Sequence, residues 1–487
     1  MKICVLQPDY SPSKVDYQYY DPARNLSSLI PEAQVDHVLV NKLTTYKQLK
    51  ELKKKNYDCY VNLCEGYPDW EVPGYDIYFN AELLNLPVTG PGTKLFDVPK
   101  RIMKYVAYCE GVRIPAYTLI HSMNEIEKNI THLNYPLFVK PAHIGDSIGV
   151  DEHSLIHNKE ELLKKCSTII DEYGPLLIEE YIAGREFTVL VAANAENEKE
   201  CTVFRPIEYI FPEGKEFKTY ALKTSELHPD CNHACDDPEL DKQLREAARR
   251  IFIGFGGVGY ARMDFRVNDK NEVYFLELNF TCSVFYTDGY EGSADFILKF
   301  DGIGQAGFLR HIIKEAIARH QRKQNCFDIR GNSISGFGIY ANGDLVAGDI
   351  VFNGEEKSQR LVTRRHVNQN WSENDKEHFR RYAYPISKEV FIIWDNDPQE
   401  WAPQNHSCDA NCAYDGLNVI TLRDIKKGEE LTLDYAQFLD KNMEPFHCNC
   451  GSINCRGLIM GMPNNSITHR EALLVKTNKG VKARTGS

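Results

Sequence analysis

Two groups of residues in this chain have the types and spacing that chemistry requires. In HCNCGSINCRG, Cys448, Cys450 and Cys455 form a C-x-C-x4-C pattern. Thiolates so spaced suit zinc, and a structural zinc site takes four ligands, so a fourth must come from elsewhere in the chain. The second group lies in YARMDFRVNDKNEVYFLELNF, where Arg262, Asp264, Glu277 and Asn279 interrupt two apolar runs. On adjacent antiparallel strands the two carboxylates and the amide would share one face. Oxygen donors of that kind, completed by phosphate and water, suit Mg²⁺. Lys140 ends the run LFVK just before HIGDSIG, whose two glycines let backbone N–H groups approach a phosphate. Lys100 offers a second cation to the same polyphosphate. Any one of these residues is more simply a strand-edge ion or a turn; the ordered set points to a nucleotide triphosphate. A further cluster, HPDCNHAC at 228–235, has two His and two Cys but matches no zinc spacing and reads as an exposed loop ahead of a helix.

The elements that must position these residues change character along the chain. KICVLQ, VDHVLV and YDCYVNL read as buried strands separated by polar or helical stretches, the alternation of an α/β layer. LFDVPKRIMKYVAYCEGV reads as a helix ending near Gly111. PLFVKPAHIGDSIGV reads as strand, glycine loop and second strand, and PLLIEEYIAGREFTVLVAAN as two strands around a turn. An amphipathic helix, KQLREAARRIFIGFG, precedes YARMDFRVN and EVYFLELNF, two strands joined by DKNE. Helical sequence then ends in a basic stretch near 319–326, the expected linker. Beyond it, ISGFGIYANGDLVAGDIVFN is short-stranded and glycine-rich, and VITLRDIKKGEELTLDYAQFL reads as two strands around a tight turn. The last residues read as a frayed tail.

At 487 residues the chain has room for two to four domains. With 43% hydrophobic and 26% charged residues it is globular, and no apolar run approaches the length that crosses a bilayer. Its start lacks the apolar region of a signal peptide. We therefore expect an intracellular protein, cytoplasmic or nuclear, whose fifteen cysteines are thiols and metal ligands and not disulfides. A net charge of −12 argues against direct nucleic-acid binding and requires any phosphate site to be locally basic. It tolerates a lysine-rich protein or peptide partner.

The order of the first group resembles that of the ATP-grasp ligases, in their D-alanine–D-alanine ligase branch, over residues 1 to about 320. The resemblance implies an N-terminal α/β subdomain (1–98) followed by central and C-terminal α+β lobes (99–322). It makes Lys100 and Lys140 phosphate lysines and places Ser147 in the flexible loop. LLIEEYIAGREFTV resembles the family's adenine and ribose hinge, which gives Glu179, Glu180, Tyr181, Ile182 and Glu186 to ATP binding. Arg262 would steady the transferred phosphoryl group, and Asp264, Glu277 and Asn279 would hold Mg²⁺. The implied chemistry joins a small carboxylate to an amine through an acyl phosphate. Two stretches depart from the family: FTCSVFYTDG stands where a Pro-Gly loop receives the second substrate, and QPDYSPSKVDYQYY replaces the N-terminal glycine-rich stretch with its glutamate.

PQNHSCDANC, GEELTLDYAQF and GFGIYA resemble, in their order, the SET-domain lysine methyltransferases, a mostly-β fold, over about 327–460. The implied layout is a SET domain at 327–445, a post-SET zinc segment at 446–460 and a tail at 461–487. It names Cys408 as the zinc ligand that joins Cys448, Cys450 and Cys455; Cys412 competes for that place. Gly336, Phe337, Gly338, Asn405 and His406 would hold S-adenosylmethionine. Tyr435 would line the donor site and orient the lysine amine. The substrate would be a lysine-containing protein or peptide, histones included. Methyl transfer needs a neutral amine, an in-line sulfonium and exclusion of water. Leu433 stands where the family often has Phe or Tyr and cannot hold a water by a hydroxyl, which favours multiple methylation. Ala410 replaces a usual proline, EWAPQ replaces the Arg-Phe-Ile lead-in, and no cysteine-rich segment precedes the domain. The whole chain is thus expected to be a bifunctional α+β enzyme.

Overall fold

In the computed structural model the residues described are all except 14–20, 144–147, 220–230, 324–325, 333–334, 356, 358, 395–402, 440–444 and 462–487. The chain forms two compact units, Met1–Lys323 and Gln324–Ser487.

The first unit opens with a parallel sheet of β1 (Lys2–Pro8), β2 (Gln34–Val40) and β3 (Cys59–Asn62), in the order β2-β1-β3. Its central strand is buried on both faces, as parallel strands are, which is why KICVLQ is apolar throughout. Ile3 and Val5 pack toward Phe308 and Ile312 of the helix Gly304–Lys323, while Cys4 and Leu6 pack toward Leu49 and Ile77 on the other face. That long helix absorbs much of the expected linker. Arg319 is buried, donates to Val88 O and Gly90 O, and pairs with Glu315 one turn earlier.

Two antiparallel sheets follow. One has the order β4-β7-β5-β6, from β4 (Tyr117–Ile120), β5 (Leu137–Pro141), β6 (Leu155–Ile156) and β7 (Leu176–Glu180). The helix Lys159–Tyr173, capped by the Asn158 side chain, packs Leu162, Cys166 and Ile169 onto it. Beyond β5 the next strand among the described residues is β6, past the second strand the sequence suggests at the end of HIGDSIGV, and Asp151 caps a 3-10 turn before it. The other sheet has the order β11-β10-β8-β12-β13, from β8 (Arg185–Ala193), β10 (Ile207–Tyr209), β11 (Asn232–Ala234), β12 (Tyr260–Val267) and β13 (Val273–Asn279); β9 (Cys201–Val203) pairs with β8. The helix Pro238–Gly254 covers it with Leu244, Ala248 and Ile251, and Asp237 caps its first turn.

The second unit is built from small sheets. β14 (Phe327–Asn332) pairs with β15 (Gly336–Ala341). β16 (Ile350–Phe352), β20 (Cys412–Asp415) and β21 (Asn418–Thr421) form one three-stranded sheet, and β17 (Gln359–Thr363), β18 (Tyr384–Pro385) and β19 (Val390–Trp394) another. β22 (Phe446–His447) and β23 (Leu458–Ile459) pair around the cysteine segment. Helices Arg364–Asn370 and Glu373–Tyr382, unread in the sequence, pack on Phe391. GEELTL is also no regular strand: it joins its neighbours through isolated bridges, Tyr340 to Glu430 and both His406 and Cys412 to Leu433. Tyr435 begins a 3-10 turn where a strand end was expected.

Candidate active sites of the two units

In the first unit the cleft is built on one carboxylate. Glu179, near the end of β7, receives Lys140 of β5 at 2.7 Å on one oxygen. Its other oxygen lies 2.7 Å from Lys104 of the helix Lys100–Cys109, at ion-pair distance but outside hydrogen-bond alignment. All three residues are buried. Burial alone would push the Glu179 carboxyl up; Lys104 and Lys140 instead draw it down to about 2. Burial lowers Lys104, while for Lys140 the attraction of Glu179 and Glu277 outweighs burial and raises it. With two lysines on one carboxylate, the triad carries a surplus positive charge.

β12 and β13 deliver the expected oxygen donors. Asp264 pairs directly with Glu277 and Arg262 with Asn279 across the ladder, with a bulge after Asp264. Arg262 Nε lies 3.6 Å from Asp264 Oδ1, and Lys100 Nζ 4.0 Å from Glu277 Oε2. Asn279 Oδ1 accepts from Thr281 N and Oγ1, which fixes its amide plane. Two carboxylates and an amide on one sheet face are hard oxygen donors, so the residues present fit Mg²⁺.

These residues face two clefts. One, of about 780 Å³, is walled by Phe138, Tyr181, Phe217, Lys140, Asp264 and Arg266. The other, of about 690 Å³, is lined by Tyr67, Asp97, His143, Arg262 and Asn279. Lys100 and Glu277 line both. Ile182, Glu180 and Glu186 also line the first. Of these Glu180 accepts on its Oε1 from the Asn134 backbone and side chain. Ser147 lies outside the described residues.

The segment after Asn279, where the sequence departs from the ligase pattern it resembles, packs against the chain's own side chains. Ser283 donates to Glu65 at 2.6 Å, Tyr286 to Asp21 at 3.0 Å, and buried Arg24 to Val284 O at 2.9 Å while lying 4.6 Å over the Tyr286 ring. Asp295 holds the segment from behind by accepting from Phe285 N and Gln305; burial pushes its carboxyl up to about 6. None of these residues was singled out from sequence, because the contacts join positions up to 265 residues apart.

In the second unit, backbone bonds tie NHSC to ELTLDY: Leu433 N donates to Asn405 O, Ser407 N to Leu433 O, and Cys412 N to Thr432 O. Asn405 Nδ2 donates to Phe337 O at 2.9 Å and to Glu430 Oε1 at 2.7 Å, so one side chain draws GFG onto the same platform. A Cβ at Gly338 would lie 2.3 Å from Glu430 Oε1 and 2.8 Å from Asn405 Nδ2, so a side chain there would displace this hydrogen-bonded pair. Gly336 takes φ +86°, which also favours glycine. His406 Nδ1 accepts from Tyr435 N at 3.1 Å, and burial lowers its pKa despite Asp434 nearby. Tyr435 Oη donates to Gln404 O at 2.7 Å, and burial pushes its phenol up to about 12. Glu430 and Asn411, which accepts from Thr432 N and donates to Glu430 O, were not read from the sequence. The acidic pair in GEEL was the available signal for the first.

Cys408, Cys448, Cys450 and Cys455 converge, their sulfurs all within 4.8 Å of one another. Zn–S bonds of about 2.3 Å in a tetrahedron require sulfurs about 3.8 Å apart, so the set fits zinc. Cys412 instead is buried, with its thiol on Asn411 Oδ1 at 3.5 Å. Arg456, in the same segment, pairs with Asp434 and donates its backbone N–H to Cys408 Sγ, which ties the cysteine segment to the residue beside Tyr435. In HPDCNHAC, residues 228–230 lie outside the described set, and Cys235 is buried with its thiol on Asp237 O. Among the described residues no other group of three or more His, Cys, Asp or Glu donors converges.

Comparison with known proteins agrees with this division. Residues 110–285 match the family model of the D-ala D-ala ligase C-terminus, and residues 336–436 that of the SET domain. D-alanine–D-alanine ligase B of Clostridium tetani is 33% identical over 212 residues, 41% of this chain and 56% of that protein. The D-alanine–D-alanine ligase of Bacillus cytotoxicus is 30% identical over 259 residues, 50% of this chain and 66% of that protein. The chain thus spans little more than half the length of the Clostridium tetani ligase. Among solved structures, the Bacillus anthracis D-alanine–D-alanine ligase with ATP is similar at 19% identity and a TM-score of 0.47, over 66% of this chain and all of that one. The chain joins a segment of the D-ala D-ala ligase C-terminus type, at 110–285, to a SET domain at 336–436. Among the described residues no helix is long and apolar enough to cross a membrane.

The Glu179 triad makes a pH-dependent contribution of defined sign. Its folded carboxyl titrates near 2, below the roughly 4.3 of an unfolded glutamate. A depressed folded pKa stabilises the fold above the unfolded value, and that contribution is lost as pH falls through the folded one. Glu179→Gln leaves two buried lysines without their counter-ion and should cost about 3–5 kcal/mol near neutral pH. In denaturant titrations the gap between wild type and variant should close between about pH 5 and about pH 2. A gap independent of pH would show that the carboxylate is not the charge the lysines answer to.

Proposed function

We propose that the chain is a bifunctional enzyme, an ATP-dependent carboxylate–amine ligase joined to an S-adenosylmethionine-dependent lysine methyltransferase. The observation that supports this reading is that Lys100, Lys140, Asp264, Glu277 and Asn279 line adjoining clefts in the first unit, while Asn405 and His406 bond to the Phe337 and Tyr435 backbone in the second.

In the ligase half, ATP occupies the cleft walled by Phe138, Tyr181 and Phe217, with Lys140 and Lys100 along its phosphates. Asp264, Glu277 and Asn279 would hold Mg²⁺, which when bound neutralises phosphate charge. A substrate carboxylate in the second cleft attacks the γ-phosphorus and expels ADP. Arg262 stabilises the transferred phosphoryl group by charge. An amine then attacks the acyl phosphate, releases phosphate and gives up its proton. The packed segment Ser283–Tyr286 favours a second reading, in which this half binds nucleotide or recruits substrate without ligation. Either reading requires Mg²⁺-dependent ATP binding, weakened by Lys140→Ala, in calorimetry. Phosphate release across a panel of amino acids and peptides, abolished by Glu277→Gln, separates them: ATP bound with no carboxylate triggering release selects the second.

In the SET half, the backbone of Gly336, Phe337 and Gly338, with Asn405 and His406, holds S-adenosylmethionine. The substrate is a lysine-containing protein or peptide, and Tyr435 orients its amine toward the methyl group. Leu433 offers no hydroxyl to trap a water beside that amine, which favours repeated methylation. Cys408, Cys448, Cys450 and Cys455 would hold zinc, which when bound fixes the C-terminal segment beside the site. Elemental measurement should give about one zinc per chain. Cys450→Ser should lose both the metal and methyl transfer while ATP binding stays intact; full zinc retention after removing Cys408 would move the fourth ligand elsewhere.

Tyr435→Phe keeps the ring packing and removes the hydroxyl. With labelled S-adenosylmethionine and a panel of histones and lysine-rich peptides, methyl transfer should fall by about two orders of magnitude or more with donor binding unchanged. Undiminished transfer would remove Tyr435 from the mechanism.

A further inference from the structure

Arg266 has no role assigned in the motifs above, yet it lines the first cleft. It is two residues beyond Asp264 on β12, directly opposite Glu186 of β8 in the ladder, and only 3% exposed. Its Nη1 donates to Tyr181 Oη at 3.0 Å, Gly184 O at 3.2 Å and, more weakly, Ile182 O at 3.4 Å. Its Nη2 donates to Glu216 O and lies 3.2 Å from Glu186 Oε2. Tyr181 Oη also donates to Glu216 O, at 2.9 Å. The guanidinium therefore joins the hinge after β7 to the segment that carries Phe217. Phe217 meets Phe138 edge to face at 5.0 Å and Tyr181 at 6.5 Å, and these rings form the aromatic end of the cleft. Close approach leaves no slack in the arrangement: a Cβ at Gly184 would lie 2.1 Å from Val267 O, the residue after Arg266.

We propose that Arg266 is the positioning residue that sets the base-binding end of this cleft, acting through Tyr181 and the Glu216–Phe217 backbone. The inference rests on the ATP-binding reading above. Glu186 already has Lys218 at 3.5 Å, so a simple counter-ion for Glu186 did not require an arginine. What the planar fork adds is simultaneous donation to several acceptors in fixed directions, which a lysine cannot reproduce.

The test is calorimetry with Mg²⁺ and either ATP or GTP on the full chain, for wild type, Arg266→Met and Arg266→Lys. Wild type should prefer ATP. Arg266→Met should lose about tenfold or more in ATP affinity, the scale of hydrogen bonds to a charged group. It should lose less for GTP, so that the preference narrows, because the slot that selects the base has been loosened. Arg266→Lys should not restore it. Should Arg266→Met fail to fold, Tyr181→Phe removes the second donor to Glu216 O together with one acceptor of Arg266, and should narrow the preference in the same direction. ATP affinity within twofold of wild type, an equal loss for both nucleotides, or full rescue by lysine would each overturn the proposal. Wild type that binds neither nucleotide would instead defeat the ATP-binding reading itself.

Discussion

The first unit depends on a carboxylate held between two lysines out of water. Lys104, Lys140 and Glu179 come from a helix and two strands of one sheet, and none is stable there without the others. A buried ion is tolerated only when paired, so the triad fixes the approach of the helix to the sheet as firmly as the apolar contacts beside it. The cost of burial is met within the triad, and one positive charge remains in excess at the cleft. An acidic chain can in this way present a local cation to a polyphosphate, which its net charge of −12 would otherwise oppose.

The second unit uses the same device with a neutral partner. Glu430 accepts from Asn405, and Asn405 reaches Phe337 O, so three segments distant in sequence meet at one carboxylate. The backbone ladder between Asn405 and Leu433, and the His406–Tyr435 bond, then leave little freedom to the side chains at the site. Arg456 on Asp434 carries the constraint into the cysteine segment without requiring a metal. In both units a buried or half-buried acid orients the groups beside it.

Much of this was legible in the residues. Asp264 and Glu277 were placed on one face by strand alternation, and the ladder pairs them directly, because period-two geometry leaves few registers. Cys448, Cys450 and Cys455 declared themselves by spacing. Arg266 had a signal that went unused: it continues the alternation of Arg262 and Asp264, and a third charge on that face needed a partner. The helices Arg364–Asn370 and Glu373–Tyr382 were missed because they are short and polar, and GEELTL was read as a strand because alternation alone does not reveal whether a partner runs alongside.

The sequence by itself determined which chemical groups are available and in what order, since residue types, strand alternation and cysteine spacing are local properties. It also determined that two differently built parts share the chain, because the α/β alternation gives way to short glycine-rich strands near residue 320. Only the tertiary structure decided that Cys408 and not Cys412 joins the other cysteines, because Cys408 lies in a turn that reaches the segment while Cys412 is buried in β20 with its sulfur on Asn411. It alone decided that Ser283 and Tyr286 fill their surroundings with Glu65, Asp21 and Arg24. And it alone brought Arg266 to the hinge and to Glu216, for hydrogen bonds across 50 residues and more are set by the packing of sheets, which no local pattern encodes.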